Sequence, residues 1–147
     1  MKLARVEYEF FDFEEPSASA VELARQIHLE FSDTPPLFLS WTSERQYGPQ
    51  SQPYTIGFQG ESFFLDQPAS VVDASGSPFW AKHIGRDVEL VHTLATSPAF
   101  EYQVLEVSST SDRTFVYSLG VDKVRVSRES PIAERVMERQ SPRGSTA

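Results

Sequence analysis

Between Asp73 and Leu90 the chain reads DASGSPFWAKHIGRDVEL, and this stretch constrains the fold more tightly than any other. Ser77 precedes Pro78, a capping hydroxyl followed by a residue whose missing N–H costs nothing in a first helical turn. Gly85 then stands where a left-handed residue ends a helix, and Lys82 and His83 face the negative end of its dipole. The spacing predicts a two-turn helix over Pro78–Ile84 that buries Trp80 and Ile84 on one face, with a strand through Val88 and Leu90 behind it. Asp73 and Ser75 admit two readings. They form a turn in which their side chains bond nearby amides, or they join His83 in a small polar pocket at the helix entrance.

Elsewhere the dominant period is two. Leu3–Phe13 reads as a strand with Val6, Tyr8 and Phe10 on one face and Arg5, Glu7 and Glu9 on the other, closed by Glu14-Glu15-Pro16. Ser17 or Ser19 can cap a short helix through Ala24. Arg25–Phe31 and Leu37–Trp41, joined by the turn Ser32–Pro36, read as an antiparallel pair, the second apolar on both faces and so central. Thr42–Pro53 is a long polar loop, and loops of that length without structure of their own are often functional. Tyr54–Phe58 and Ser62–Leu65 read as a small hairpin. Ala99–Val107, Arg113–Leu119 and Lys123–Ser127 form a three-strand meander with short turns. Beyond Pro131, Ile132–Glu138 can form a short helix before a polar tail. The class that results is mainly β or α+β: antiparallel sheets, a C-terminal three-strand meander and two or three short helices. Residues 1–130 form one globular domain, and 131–147 a short helix and flexible tail.

A chain of 147 residues is long enough to bury a core without staples, and it holds no cysteine for a disulfide or a thiolate zinc site. Its start, MKLARVEYEFF, lacks the unbroken apolar run of a signal peptide, and no stretch has the length of a membrane span. A cytoplasmic location is expected. The net charge is −8, and it is uneven: residues 1–66 carry eleven acids against Lys2, Arg5, Arg25 and Arg45. Such a field argues against nucleic acid and anionic membrane and permits a basic protein partner, although mild acidity in a domain often serves solubility alone.

Chemistry is sparse. His28, His83 and His92 have no metal-ligand spacing; His28 lies on a polar strand face and His83 reads as the cation at a helix end. No G-x-S-x-G, dinucleotide or phosphate-loop motif is present. Glu7 and Glu9 point the same way and read as a solvated face rather than an acid–base pair. The aromatic run Phe10-Phe11-Asp12-Phe13 reads as sheet core, since a base-stacking platform needs basic residues beside it. No catalytic residue, metal or cofactor is expected, and the chain reads as a non-enzyme.

Leu39-Ser40-Trp41 closing an early strand, followed by Asp73-x-Ser75 and Trp80-x-x-x-Ile84-Gly85, resembles the small bacterial immunity proteins encoded beside secreted toxins. The resemblance implies a stoichiometric inhibitor of a cognate toxin, and the acidic first half suits a basic one. Candidate partner-binding residues are Glu7, Glu9, Glu14, Glu15, Glu30 and Glu44, with Trp41, Tyr47 and Tyr54 as aromatic anchors. Two alternatives stay open. One is a ligand pocket lined by Trp41, Phe63, Trp80 and Tyr102 with Asp73 and His83; the other is an accessory or structural subunit of a larger secretion or phage assembly.

Overall fold

The computed structural model describes residues 1–42, 55–96, 101–118, 121–129 and 131. Among the described residues ten strands make two antiparallel five-stranded sheets. The first sheet holds β1 (Leu3–Phe10), β3 (Gln26–Phe31), β4 (Leu37–Thr42), β5 (Thr55–Gln59) and β6 (Ser70–Asp73), in the order β5-β4-β3-β1-β6. The second holds β2 (Glu22–Leu23), β7 (Glu89–Thr96), β8 (Glu101–Ser109), β9 (Asp112–Tyr117) and β10 (Val124–Ser127), in the order β2-β10-β9-β8-β7. Tyr8, Phe10, Ile27, Leu29, Leu39 and Ile56 of the first sheet share one core with Leu105, Val107, Val116, Val124 and Val126 of the second. The central strands of both sheets bury an apolar face in this shared core, as sheet-on-sheet packing requires, whereas β6 at the edge of the first sheet has no buried side chain.

The alternation of β1 is interrupted once. Leu3 and Val6 are both buried although three positions apart. Pairing with β3 shifts between Leu3, opposite Phe31, and Arg5, opposite Glu30. The extra residue reverses parity, so Leu3 and the set Val6, Tyr8 and Phe10 all face the core. On the other edge of β1, β6 pairs from Phe10–Ser70 to Glu7–Asp73. The chain then leaves the sheet and returns lower down, where the Gly85 amide donates to the Leu3 carbonyl at 2.7 Å and the Val88 amide to the Met1 carbonyl at 2.8 Å. The excursion between them drives Trp80 into the core, fully buried.

Gly85 is left-handed as expected, with φ of 79°. The helix before it does not form. Ala81 N–H bonds the Ser77 carbonyl in the α pattern, but Trp80 bonds Ser77, His83 bonds Trp80 and Arg86 bonds His83, three residues back. Seven residues are too few to repay helix nucleation, and the tighter turns bring Trp80 and His83 inward together, 0% and 1% exposed, where an α-helix would pair Trp80 with Ile84. The Ser77 hydroxyl caps nothing: it is buried with no bonding partner among the described residues. His83 is accordingly not a solvent-facing cation but a core side chain.

Other departures have similar causes. In place of a helix before Ala24, Ser17–Ala20 form a turn, and Glu22–Leu23 add an edge strand to β10. The expected second arm at Ser62–Leu65 is not a strand. Side chains take over its backbone bonds: Phe63 N–H donates to Gln26 Oε1, and Phe64 N–H to Ser62 Oγ. β6 emerges instead from Ser70–Asp73. The meander is present as β8, β9 and β10, widened to five strands by β7 and β2. Among the described residues helical conformation is confined to Pro131, and no helix is long and apolar enough to cross a membrane. The polar loop after Thr42 and the segment Ile132–Glu138 lie outside the described residues.

Candidate functional site

β1 ends at Phe10, and the next four residues form a tight turn in which the Glu14 N–H donates to the Phe11 carbonyl at 3.1 Å. The Glu14 carboxylate locks that turn. One oxygen accepts the Phe11 amide at 2.9 Å, and the other accepts the Ala24 amide at 2.6 Å. A carboxylate holding two amides is a strong brace. It turns Phe13 outward, 74% exposed, where continued alternation would have left it along the sheet.

Phe13 stacks on Phe11 at 5.3 Å between centroids, and Phe11 meets Phe64 edge to face at 5.1 Å. Leu65 follows Phe64 in the chain and is fully exposed. The Arg25 guanidinium lies against this ladder, 5.1 Å from the Phe11 centroid and 4.7 Å from that of Phe64. Arg25 is itself buried, donating to the Asp66 carbonyl at 2.7 Å, with its Nε 3.6 Å from Glu9 Oε1. Gln26 Nε2 ties Glu9 to Ser62, at 2.8 Å to each. A buried cation packed against both touching rings therefore fixes a ridge that runs from Phe13 to Leu65.

Acids flank the ridge. Asp12, Glu15, Glu61 and Asp66 are exposed beside it. At the Phe13 end a recess of about 260 Å³ is bounded by Phe13, Glu14, Glu15, Glu22 and Lys123, with Glu22 paired to Lys123 at 3.2 Å. At the Leu65 end a second recess, of about 370 Å³, is bounded by Glu9, Arg25, His28, Phe64, Leu65 and Val71. Exposed apolar side chains between recesses and charged rims are the anatomy of a protein-contact surface.

The candidates named from sequence are dispersed. Glu14 and Glu15 belong to the ridge. Glu9 lies beneath it, 8% exposed, its carboxylate occupied by Arg25 and Gln26, so the expected solvated face ends there. Glu7 is held by Arg5 at 2.8 Å and His28 at 3.2 Å, and Glu30 is exposed opposite Arg5 on the neighbouring strand. Trp41 is half-buried and donates to the Ala24 carbonyl at 2.6 Å. Glu44, Tyr47 and Tyr54 lie outside the described residues.

Asp73 and Ser75 make the expected turn: Asp73 Oδ1 accepts the Ser75 amide at 2.9 Å, and Ser75 Oγ accepts the Val6 amide at 2.9 Å. Bonds from Ser75, together with nearby Arg5, hold the Asp73 carboxyl below its ordinary range. His83 is not their partner, because it packs against the other sheet, on Ser109 and Thr114. Nor do Trp80, Asp73 and His83 enclose a ligand space: Trp80 is solid core and Asp73 is exposed. Phe63 is half-buried under the Gln26 bond, and the side chain of Tyr102 lies outside the described set. Among the described residues no three His, Cys, Asp or Glu side chains gather as metal ligands.

Phe13 and Leu65 were missed from the sequence. Phe13 reads as core only as part of the aromatic run Phe10-Phe11-Asp12-Phe13; strand parity places it on the face of Glu7 and Glu9, and Glu-Glu-Pro directly after it signals the chain's exit from the sheet. No family model, no curated relative and no solved structure matches this chain.

Proposed function

We propose that this chain is a non-enzymatic binding protein that docks a basic protein partner on the Phe13–Leu65 ridge, and that the partner is a toxin it neutralises as an immunity protein. The observation that carries the reading is Phe13, 74% exposed on a turn locked by Glu14 and flanked by Asp12 and Glu15. Its burial in an interface is worth about 2–4 kcal/mol, enough for a hot spot. The surrounding acids act on encounter rate and choice of partner more than on final affinity. They suit a cationic face and repel the nucleic acid such a face would itself bind.

The test is affinity capture from native extract with three baits: wild type, Phe13→Ser/Leu65→Ser and Glu15→Lys/Asp66→Lys. A basic protein recovered with wild type, reduced at high salt and lost with both variants is the expected result. That protein, expressed alone, should arrest growth, with wild type but neither variant restoring it. Equal recovery by all three baits removes the ridge from the interface. A partner without toxicity leaves a binding protein but ends the immunity reading.

A further inference from the structure

We propose a second site, on the opposite sheet, that binds a small phosphate-type oxyanion. It is a recess of about 230 Å³ between the Pro78–His83 turns and the β8–β9 hairpin, lined by Pro78, Phe79, Lys82, His83, Ser111–Thr114 and Arg128. Residues 67–128 contain six basic side chains, and three of them, Lys82, Arg113 and Arg128, converge here. The recess holds one acid, Asp112, which lies 3.8 Å from Lys82 and offsets that charge alone. Arg113 and Arg128 are exposed, and neither has an ion-pair partner among the described residues. In a protein of net charge −8, two unpaired guanidiniums and a lysine around one concavity form a local field opposite to that of the whole.

The floor is built rather than incidental. Thr114 and His83 are each 1% exposed. Thr114 Oγ1 donates its single proton to the Phe79 carbonyl, so it accepts from His83 Nε2, 2.9 Å away. His83 Nδ1 therefore carries the lone pair and accepts from the Ser109 hydroxyl at 2.7 Å. Burial keeps the ring neutral by pulling its pKa below the ordinary 6.5. With both nitrogens occupied, His83 is a brace that fixes the wall carrying Lys82 against the hairpin carrying Arg113. The β9–β10 register, with Ser127 opposite Phe115, brings Arg128 alongside Thr114 and completes the ring of cations.

Guanidinium groups bind phosphate oxygens in pairs, and a lysine adds a point charge. The recess is small and bounded, and the acidic remainder of the surface opposes a long polyanion, so the ligand class is a free mono- or diphosphate. The test is calorimetric titration of the full chain with pyrophosphate at low salt, with sulfate and a ten-nucleotide thymidine strand as comparison ligands. Expected is saturable binding of pyrophosphate, stronger than either comparison and at least tenfold weaker in Arg113→Ala/Arg128→Ala. Lys2→Ala/Arg5→Ala, of the same net charge and outside the recess, should bind as wild type does. Absence of saturable pyrophosphate binding overturns the site, as does equal binding by the recess variant. Preference for the oligonucleotide overturns the small-ligand assignment.

Discussion

The indole N–H of Trp80 donates to the hydroxyl of Tyr8 at 2.8 Å, and both side chains are 0% exposed. This bond joins the turns before Gly85 to the middle of β1, across the core. Burial pushes the Tyr8 hydroxyl up to about 12, with the Trp80 bond opposing the shift, so the phenol stays protonated throughout the useful pH range. Tyr8→Phe keeps the ring and strands a buried donor, at a cost of about 1–3 kcal/mol. Trp80→Ala removes the whole plug, at about 3–5 kcal/mol. Urea unfolding of both variants checks the order. Equal midpoints for Tyr8→Phe and wild type would mean that the indole finds another acceptor.

How much of this was legible beforehand depends on whether the cause is local. Gly85 was readable because a left-handed residue after an apolar turn is a local demand. The alternation of Val6, Tyr8 and Phe10 was readable for the same reason. The bulge that puts Leu3 in the same core was not, since it depends on pairing with Phe31 and Glu30. Phe13 was misplaced because its outward turn is fixed by Glu14 reaching the Ala24 amide, a contact that only the folded chain brings about. The basic recess gathers Lys82, Arg113 and Arg128 from three separate elements, and no short motif announces it.

His83 should make stability pH-dependent in a defined direction. Burial, the main cause, and nearby Arg86 lower its pKa, while Asp112 opposes them. As pH falls through about 6.5 the unfolded chain takes up a proton on this ring before the folded chain does. Stability from the neutral ring is therefore complete above that pH and declines below it, until the folded imidazole also protonates. In thermal melts from pH 8 to pH 5, wild type should lose more Tm than His83→Gln. Contributions common to the two proteins cancel in that difference. Parallel curves for the two proteins would show that His83 titrates alike in both states.

Among the described residues Gly85 and Thr110 have positive φ, for opposite reasons. Gly85, at 79°, has open space where a Cβ would stand, so Gly85→Ala meets no clash and its cost is purely conformational, about 1 kcal/mol. Thr110, at 30°, is a β-branched residue held in the left-handed region by the two-residue turn between Ser109 and Asp112. Thr110→Gly relieves that strain and should stabilise by about 0.5–1 kcal/mol after the added flexibility of the unfolded chain is subtracted. Denaturant midpoints should move in opposite directions for the two variants. A loss of stability in Thr110→Gly would show that the threonine side chain contributes more than its backbone costs.

Arg25 is where the fold and the proposed partner surface depend on each other. Its charge is buried, held by Glu9 and Asp66 and enclosed by Phe11 and Phe64. Arg25→Met fills similar space but leaves the Glu9 carboxylate buried with Gln26 as its remaining partner, at a cost of about 3–5 kcal/mol. Adding Glu9→Gln removes the stranded charge and should recover about 1 kcal/mol or more. Arg25→Lys should not behave conservatively, because an ammonium lacks the flat guanidinium that packs against the two rings and donates to the Asp66 carbonyl. Hydrogen exchange gives the local readout. In Arg25→Met the amide of Phe63, held by Gln26 Oε1, should exchange faster while that of Leu39 in β4 changes only with global stability. Protection at Phe63 that survives the loss of Arg25 would show that the Gln26 bonds alone hold this segment. The ridge would then persist without its central cation.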